Sequence, residues 1–490
     1  MKFSDLIFYE IYPTSFKDSN NDGIGDLNGI TEKLAYIKEL GFNAIWLNPM
    51  YVSPFKDGGY DVENFFDVDP KFGNLDDFKN LINKAHQLNI KIILDLVIGH
   101  ASVLNKEFLL SAEPFTNEYS DLFIWNDNPW SLDGGRLISG MYQRHGCYMV
   151  NFFAHQPAFN YGFKDIKYPW QMSYKDERCM KARNYMLDVM RFWLSLGADG
   201  FRVDMADSLV KNDEDKSATI EVWNYLFGII KKEYPDSFFV SEWSCPSRAF
   251  KAGFDADFVL DHWDNFYHRF SRSDENTRGL SCLHGGNLDF FLNDLKSRLD
   301  DAKKYHKLLA NISGNHDTFR IANYLDHKDL KLFYLLLFTL PGVPFIYYGD
   351  EIGMKTEHNI YSKDGGFQRT GSRTPMQWDD SKNMGFSDTD RSLYLPINED
   401  NKVNVYDAKK DKNSLYYFIK ELIKIRNQID DLKLEDYVIN ENNRIIEIIR
   451  GNYKLIMNLS NEEIHLNNVI ISTGQNDVLK HNEGALISLK

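Results

Sequence analysis

Short apolar runs rich in β-branched and aromatic residues alternate with longer amphipathic runs over most of the chain. The run "NAIWLNP" precedes "LDDFKNLINKAHQL", in which apolar positions recur with helical spacing, and "KIILDLVIG" follows. This order, a strand and then a helix, occurs about eight times along the sequence. Repeated strand–helix units are typical of a parallel sheet, and this number predicts an α/β fold with a closed (β/α)8 TIM barrel.

Two stretches depart from this alternation. Residues 101–170 are rich in Asn, Gly, Pro and aromatic side chains and lack strong helical periodicity, so we interpret them as a subdomain inserted after strand 3. From about residue 430 the pattern becomes short strands separated by Asn and Gly turns, which predicts a small antiparallel β-sandwich. The predicted domains are therefore a barrel at 1–100 and 171–429, the insertion at 101–170, and a C-terminal sandwich at 430–490.

Composition narrows the possible partners. The chain has 490 residues, is 43% hydrophobic and 14% aromatic, and carries a formal net charge of −15, so it has a large core and disfavours nucleic acid and anionic membranes as partners. The start, "MKFSDLIFYEIYP", lacks a long apolar run, and we expect no signal peptide. Four widely spaced Cys without a CxxC pair indicate reduced thiols in a cytoplasmic protein.

Polar residues stand where the predicted barrel strands end, which is where such barrels carry their chemistry. In chain order they are His100, Arg202, Asp204, Glu242, His316 and Asp317. Arg202 and Asp204 are two apart on one strand and point to the same side, so we expect Arg202 to depress the pKa of Asp204 and keep it ionised.

Three acids from three strands favour catalysis, although a lone strand-end Asp is more often a helix cap or an ion-pair partner. Placing Asp204, Glu242 and Asp317 together costs energy through repulsion and desolvation, and the repulsion raises the proton affinity of one of them. A division between one ionised and one protonated carboxyl group is what a glycosidase uses.

The ordered set of motifs resembles the α-amylase-type glycoside hydrolases over essentially the whole chain. "DLVIGH", "GFRVD", "EWS" and "SGNHD" resemble the four core segments of that family, in the same order. "GFNAIWLNP", "GGYDV", "QPAFN" and "GVPFIYYGDEIGM" resemble its accessory segments. The resemblance implies a TIM barrel enzyme that hydrolyses α-glycosidic bonds with retention of configuration.

The resemblance also implies roles for individual residues. Asp204 would be the nucleophile, Glu242 the general acid/base, and Asp317 the carboxylate that stabilises the distorted sugar. Retention predicts about 5–5.5 Å between the carboxyl groups of Asp204 and Glu242. Asp95 would support Arg202. The residues expected to hold the sugar ring of the substrate are Tyr60, Asp61, His100, Arg202 and His316.

The stretch "KDSNNDGIGDL" has the spacing of a calcium loop without its last ligand. Acidic or amide side chains alternate as in an EF-hand, but the twelfth position is Gly29 instead of Glu. Family members that resemble oligo-1,6-glucosidases bind calcium in the corresponding loop, which implies a structural Ca²⁺; the alternative is a turn without an ion. The expected ligands are Asp18, Asn20, Asp22, the Ile24 carbonyl and Asp26.

No organic cofactor is expected, and Gly99 offers no side chain at a second calcium position that many α-amylases use. The segment "GSRTPMQWDDSKNMGFS" resembles one found in oligosaccharide-acting α-glucosidases and in trehalose synthase-like enzymes, where an Arg corresponding to Arg373 closes the pocket. Met205 and Ala158 depart from the usual family residues, so the preferred linkage, α-1,4 or α-1,6, stays open.

We therefore expect an exo-acting α-glucosidase whose partner is a short oligosaccharide. The alternatives are a transglycosylase or isomerase on the same scaffold and an endo-acting α-amylase. A non-catalytic sugar-binding barrel and a metal-dependent barrel hydrolase fit the three retained acids less well. The sequence does not determine the oligomeric state.

Overall fold

Eight parallel strands close into a barrel in the computed structural model, which describes residues 2–261, 265–272, 281–398, 401–475 and 477–490. Each strand pairs with the next one in the chain, and the last pairs with the first. The barrel strands are β1 Phe8–Ile11, β2 Ala44–Leu47, β3 Lys91–Leu96, β4 Gly200–Val203, β5 Phe238–Ser241, β6 Ala256–Val259, β7 Leu308–Ile312 and β8 Val343–Tyr347.

Helices follow the strands and cover the barrel. They are α1 Leu27–Leu40, α2 Leu75–Gln87, α3 Met180–Ser195, α4 Ser217–Glu233, α5 Pro246–Lys251, α6 Leu288–Tyr305, α7 His327–Thr339 and α8 Leu415–Gln428. Helix α1 begins where the Asp26 side chain accepts the backbone N–H of Gly29, and it ends at Gly41, whose φ of 104° favours glycine. The predicted (β/α)8 barrel is confirmed.

Shorter elements connect these units. A hairpin-like pair lies between β2 and α2, one short helix precedes α6, and another precedes α8. Their bounds are Tyr51–Val52 and Asn64–Val68 for the pair, and Phe266–Ser271 and Val405–Lys410 for the helices.

The register of the parallel strands brings the strand-end residues to one level. Asp95 of β3 pairs with Arg202 of β4, and Arg202 pairs with Val240 of β5. Below this level the barrel is filled by aromatic side chains, including Phe8 and Phe345, whose rings stack 4.0 Å apart. The apolar filling closes the barrel, so polar side chains can meet only at its carboxyl end.

The segment 101–170 carries little regular structure, consistent with its weak periodicity. It contains the helix Lys106–Ser111 and a three-stranded antiparallel sheet made of Trp125–Asn126, Leu137–Ser139 and Cys147–Met149. An isolated bridge between His100 and Ala158 joins this segment to the end of β3. The insertion therefore stands beside the carboxyl end of the barrel.

The C-terminal strands form a five-stranded antiparallel sheet. In sheet order they are β9 Val438–Asn442, β10 Ile445–Arg450, β11 Tyr453–Asn458, β13 Glu483–Ser488 and β12 Val469–Ser472. A two-stranded sheet, Ile464–His465 with Val478–Leu479, forms the thin second layer. The predicted sandwich is present, whereas the exact domain limits stay predictions.

Two whole-chain features bear on the sequence expectations. All four cysteines, Cys147, Cys179, Cys245 and Cys282, are free thiols. In the described ranges no helix is both long and apolar enough to cross a bilayer.

Candidate active site

A cavity of about 340 Å³ opens at the carboxyl end of the barrel, and the three predicted acids, Asp204, Glu242 and Asp317, all line it. This volume is typical of a site for a small molecule. Each acid follows a different barrel strand, so the arrangement depends on strand closure and not on nearness in sequence. The other polar residues of the wall are Asp57, Tyr60, His100, Asp207 and Arg369.

Arg202 joins the acids on one side of the pocket. Its Nη1 lies 2.8 Å from Asp95 Oδ1 and 3.1 Å from Asp204 Oδ1. Its Nη2 lies 2.7 Å from Glu242 Oε1, and the backbone N–H of Met205 donates to Glu242 Oε2 at 2.9 Å. One buried guanidinium therefore fixes both Asp204 and Glu242, in the planar geometry that suits arginine and carboxylates.

Burial dominates the proton affinity of this pair. It raises the pKa of Asp204 well above the ordinary carboxyl value, the negative charge of Glu242 raises it further, and Arg202 compensates only in part. Burial likewise raises the pKa of Glu242. The expectation that Arg202 would depress the pKa of Asp204 is wrong, because desolvation and the second acid outweigh one guanidinium. The pair titrates as a unit and binds its first proton more tightly than an isolated carboxylate does.

Asp317 has the opposite environment. Arg373 Nη2 and Arg369 Nη1 lie 2.7 Å and 3.0 Å from its Oδ1, and His316 Nε2 lies 3.4 Å from its Oδ2. Burial raises the pKa of Asp317, but electrostatic interactions with the His316 ring and with the guanidinium groups of Arg373 and Arg369 lower it more, so the net pKa lies below the ordinary value. Asp317 therefore loses its proton at a lower pH than the Asp204–Glu242 pair does.

A chain of buried hydrogen bonds connects the two sides. The Tyr60 hydroxyl donates to Asp95 Oδ2 at 2.9 Å and lies 2.8 Å from His316 Nε2. His100 Nε2 contacts the Tyr60 carbonyl at 3.1 Å. Burial lowers the pKa of both His100 and His316 to about 3, so both rings are neutral at neutral pH.

Comparison with known proteins agrees with this geometry. The alpha-amylase catalytic domain model matches residues 10–434. The chain belongs to the α-amylase family. Maltase A2 of Drosophila melanogaster is 31% identical over 507 residues, which cover 92% of this chain and 85% of the relative. The trehalose synthase/amylase of Mycolicibacterium smegmatis is 33% identical over 480 residues, which cover 87% of this chain and 76% of the relative.

A solved structure shows the same architecture. A variant of the isomaltulose synthase from Erwinia rhapontici, in complex with sucrose, aligns with a TM-score of 0.81 at 25% identity and covers 99% of this chain and 98% of that chain. The protein is thus an α-amylase-type glycoside hydrolase, and the retaining mechanism is general to this family.

Four residues expected to bind sugar in this α-amylase-family pocket, namely Asp61, Arg202, His316 and Arg373, are buried and are not part of its wall. Both oxygens of Asp61 accept bonds from their own loop: Oδ1 from the Ser53 hydroxyl at 3.0 Å, and Oδ2 from the Lys56 N–H at 3.0 Å. Arg373 is buried, and its Nε donates to the carbonyl of His316 at 3.0 Å. The structure therefore places Asp61 as a support of the loop and Arg373 as a support of Asp317.

Sequence reasoning missed two wall residues. Arg369 Nη2 lies 3.6 Å from Asp57 Oδ1 while its Nη1 contacts Asp317, so Arg369 links two carboxylates across the pocket. Gln156 Nε2 donates to Asp57 Oδ2 at 2.7 Å and fixes that carboxylate from the insertion. Asp57 and Arg369 stand just outside quoted motifs: Asp57 directly precedes "GGYDV", and Arg369 stands two positions before "GSRTPMQWDDSKNMGFS".

In the expected calcium loop, carboxylate side chains accept hydrogen bonds from backbone N–H groups of the same segment. Asp18 Oδ1 accepts the N–H of Asn21 at 2.8 Å, and its Oδ2 accepts the N–H of Gly23 at 2.8 Å. Asp26 Oδ1 accepts the N–H of Gly29 at 2.7 Å as the cap of α1. The donors are all oxygen, as Ca²⁺ requires, although no group of three or more His, Cys, Asp or Glu in the described part of the chain is arranged to hold a metal.

A lysine occupies the junction beside Gly99. A Cβ at Gly99 would lie 2.7 Å from Asn151 Nδ2 and 3.1 Å from Ser208 Oγ. The Lys211 ammonium donates to Asn151 Oδ1 at 2.6 Å and to the Ser208 carbonyl at 2.6 Å. Burial lowers the pKa of Lys211 to about 7. Lys211 thus bonds the insertion to the loop that follows β4.

Proposed function

We propose that this enzyme is an exo-acting α-glucosidase that hydrolyses short α-glucosides through a covalent glycosyl-enzyme. The observation that carries the proposal is one small pocket holding a proton-retaining pair, Asp204 and Glu242, opposite an ionised Asp317. The name of the Drosophila relative, Maltase A2, supports an α-glucosidic substrate.

The first chemical step divides the work between Asp204 and Glu242. With the one proton of the pair on Glu242, the Asp204 carboxylate attacks the anomeric carbon and forms an ester bond to it, while Glu242 gives that proton to the departing glycosidic oxygen. In the second step Glu242 takes a proton from water, the water oxygen bonds to the anomeric carbon, and the ester to Asp204 breaks. Two displacements at one carbon leave the α configuration unchanged.

Positive charge develops on the sugar ring in both transition states, and the ionised Asp317 faces it. The guanidinium groups of Arg373 and Arg369 keep Asp317 ionised, so its charge is in place before the reaction starts. Tyr60 lines the pocket, and the buried His316 lies 2.8 Å from its hydroxyl and fixes it in place. These groups stabilise the flattened sugar ring more than the resting ring, which is the condition for catalysis.

Exo action is supported by the link between Arg369, Asp57 and Asp317. Arg369 joins the two carboxylates, and Gln156 of the insertion holds Asp57, so polar groups converge on one wall of the pocket. Such groups can pair with the hydroxyls of a terminal sugar, whereas a continuing polysaccharide chain would leave them unpaired.

Transfer or isomerisation on the same scaffold is the second candidate. The apolar residues of the pocket wall are Phe152, Met205, Trp243 and Leu260. Apolar groups at the leaving-group side can restrict water and favour attack of a sugar hydroxyl on the glycosyl-enzyme. The similarity to a trehalose synthase/amylase agrees with this alternative.

Product analysis on maltose separates these candidates. Chromatography should show glucose as the main product from maltose, and proton NMR with p-nitrophenyl α-glucoside should show that the released glucose is α before mutarotation. A new disaccharide as the main product would support isomerisation, and an initial β product would refute the retaining assignment. Asp204→Asn, which preserves shape, should remove the activity, and an active variant would contradict the role of Asp204.

We also propose that the loop from Asp18 to Asp26 binds a structural Ca²⁺ through Asp18, Asn20, Asp22, the Ile24 carbonyl and Asp26. The alternating oxygen donors support this ligand set. Metal analysis of the purified protein should find calcium, and a chelator should lower Tm in the wild type but not in Asp22→Ala. Protein without calcium whose Tm does not respond to added Ca²⁺ would overturn the proposal.

For the cellular setting we propose a cytoplasmic enzyme whose partner is an oligosaccharide. The four free thiols and the acidic composition support this proposal. Fractionation of the source cells tests it: activity in the cytosolic fraction is expected, and a secreted, disulfide-containing form would contradict it.

A further inference from the structure

Glu10 lies beneath the pocket and is not part of its wall. It occupies the penultimate position of β1, is 1% exposed, and places Oε1 2.8 Å from Nδ1 of His316. Among the described residues its Oε2 has no hydrogen-bond partner. Oε1 also accepts the backbone N–H of His316 at 3.4 Å. Because Oε2 is unbonded, a charged carboxylate there would be poorly compensated, and the protonation state of Glu10 calls for an explanation.

The proton on the other nitrogen of His316 follows from a chain of donors. Asp95 receives the indole N–H of Trp46 at 3.0 Å and the guanidinium of Arg202 at 2.8 Å, and both groups can only donate. Burial raises the pKa of Asp95, but its contact with the Arg202 guanidinium favours the ionised form, so Asp95 acts as the acceptor and the one hydroxyl proton of Tyr60 points to it. The Tyr60 oxygen must then accept from His316, which places a proton on Nε2.

The Nδ1 side of the ring leaves two choices. Either Nδ1 is unprotonated and accepts a hydrogen bond from the O–H of a neutral Glu10, or the ring is an imidazolium paired with a Glu10 carboxylate. Asn48 Nδ2 also lies 3.1 Å from Nδ1, and this amide donor fits an unprotonated nitrogen. Burial raises the pKa of Glu10 well above its ordinary value, against the lowering effect of Asn48 and Arg202, and burial lowers that of His316 to about 3.

We propose that Glu10 is a positioning residue for the glucosidase reaction: as a neutral carboxylic acid it donates to Nδ1 of His316 and fixes the Nε2–H tautomer beside Tyr60 and Asp317. The inference rests on the proposed function. His316 Nε2 lies 3.4 Å from Asp317 Oδ2, so an imidazolium would cancel the charge that Asp317 directs at the sugar. A neutral ring keeps that charge available and still donates a hydrogen bond.

Nitrogen NMR of protein labelled at histidine reads the tautomer without any substrate. The signals that disappear in His316→Gln belong to His316, and they should show a protonated Nε2 and an unprotonated Nδ1 from about pH 5 to pH 8. Two protonated nitrogens at neutral pH would overturn the proposal. Because no substrate is needed, this result is independent of whether the enzyme proves to be a glucosidase.

Substitutions of Glu10 supply the kinetic test. Glu10→Leu removes the donor and should lower kcat/KM for a small α-glucoside by about 10²-fold, as misplacement of a binding group does. Glu10→Gln offers an amide N–H in the same place and should restore most of the activity with the wild-type pH profile. An inactive Glu10→Gln, or a fully active Glu10→Leu, would each contradict the proposal.

A second buried acid, Glu351, provides a control that separates a positioning role of Glu10 from the general effect of removing a buried carboxyl group. Glu351 is also fully buried and accepts the hydroxyls of Tyr9 and Tyr36 at 2.7 Å and 2.6 Å, away from the pocket wall. Glu351→Leu should lower Tm without moving the pH profile of kcat/KM or the NMR signals of His316. If both Leu variants change the profile equally, Glu10 has only a structural role.

Discussion

Replacing Arg202 by Met tests whether one guanidinium holds the catalytic cluster together. Arg202 is fully buried and contacts three carboxylates, at 2.8 Å for Asp95, 3.1 Å for Asp204 and 2.7 Å for Glu242. Methionine fills similar space but carries no charge, so the variant leaves the carboxylates together without their shared cation. We expect loss of activity and a measurable loss of stability.

The size of the effect follows from general magnitudes. Removing one partner of a buried ion pair costs about 3–5 kcal/mol, because the remaining charge is uncompensated. For 490 residues unfolding as one unit, about 2.1 cal/mol/K per residue gives an unfolding entropy of about 1 kcal/mol/K. The variant should therefore unfold about 3–5 °C below the wild type at neutral pH.

The stability lost in Arg202→Met should increase as the pH rises. Without Arg202, the acids of the cluster have still higher pKa values in the folded protein than in the unfolded chain, so folding takes up protons. Stability then falls as pH rises, and the deficit of the variant should be larger at about pH 8 than at about pH 5. Differential scanning calorimetry at both pH values measures it.

A matched control is Arg191→Met. Arg191 pairs with Glu233 at 2.7 Å, but the two side chains are 38% and 39% exposed, and such pairs contribute about 0–1 kcal/mol. The reasoning is refuted if Arg202→Met is as stable as this control at pH 8, or if its deficit grows as the pH falls.

Three further predictions concern other parts of the molecule. Arg369→Ala removes the link from Asp57 to Asp317 and should lower kcat/KM for maltose more than for longer maltosaccharides; a uniform loss would contradict it. Burial raises the pKa of Asp257 to about 7, so wild-type stability should fall as pH rises towards 7, and Asp257→Asn should show a flatter profile of Tm against pH. Asp26→Ala should cost about 1 kcal/mol, measured by denaturant unfolding with chelator present, because α1 loses its cap; no change would refute that role.

Much of the fold could be predicted from the chain because its cause is local. Strand and helix periods of 2.0 and 3.6 residues are set by the backbone, so the alternation of the two patterns indicated the barrel. The strand-end acids could also be found, since the carboxyl ends of parallel strands must meet at one end of a closed barrel. The convergence of Asp204, Glu242 and Asp317 on one pocket confirmed that reasoning.

Proton affinities could not be found in the same way. An arginine two residues from Asp204 suggested a depressed pKa, but the pKa is raised, because desolvation and the charge of Glu242 depend on surroundings far away in sequence. The sequence also did not show where a side chain points: Asp61 is adjacent to Tyr60 in the chain, yet its carboxylate bonds within its own loop.

The sequence by itself thus determined which elements form and which acids reach the end of the barrel. Only the tertiary structure decided which side chains face the cavity and which charges they meet, as with Arg369 between Asp57 and Asp317. The physical reason is the sequence separation of the interacting groups. Secondary structure depends on neighbouring residues, whereas burial and Coulomb interactions depend on groups that the folded chain brings together from hundreds of residues apart.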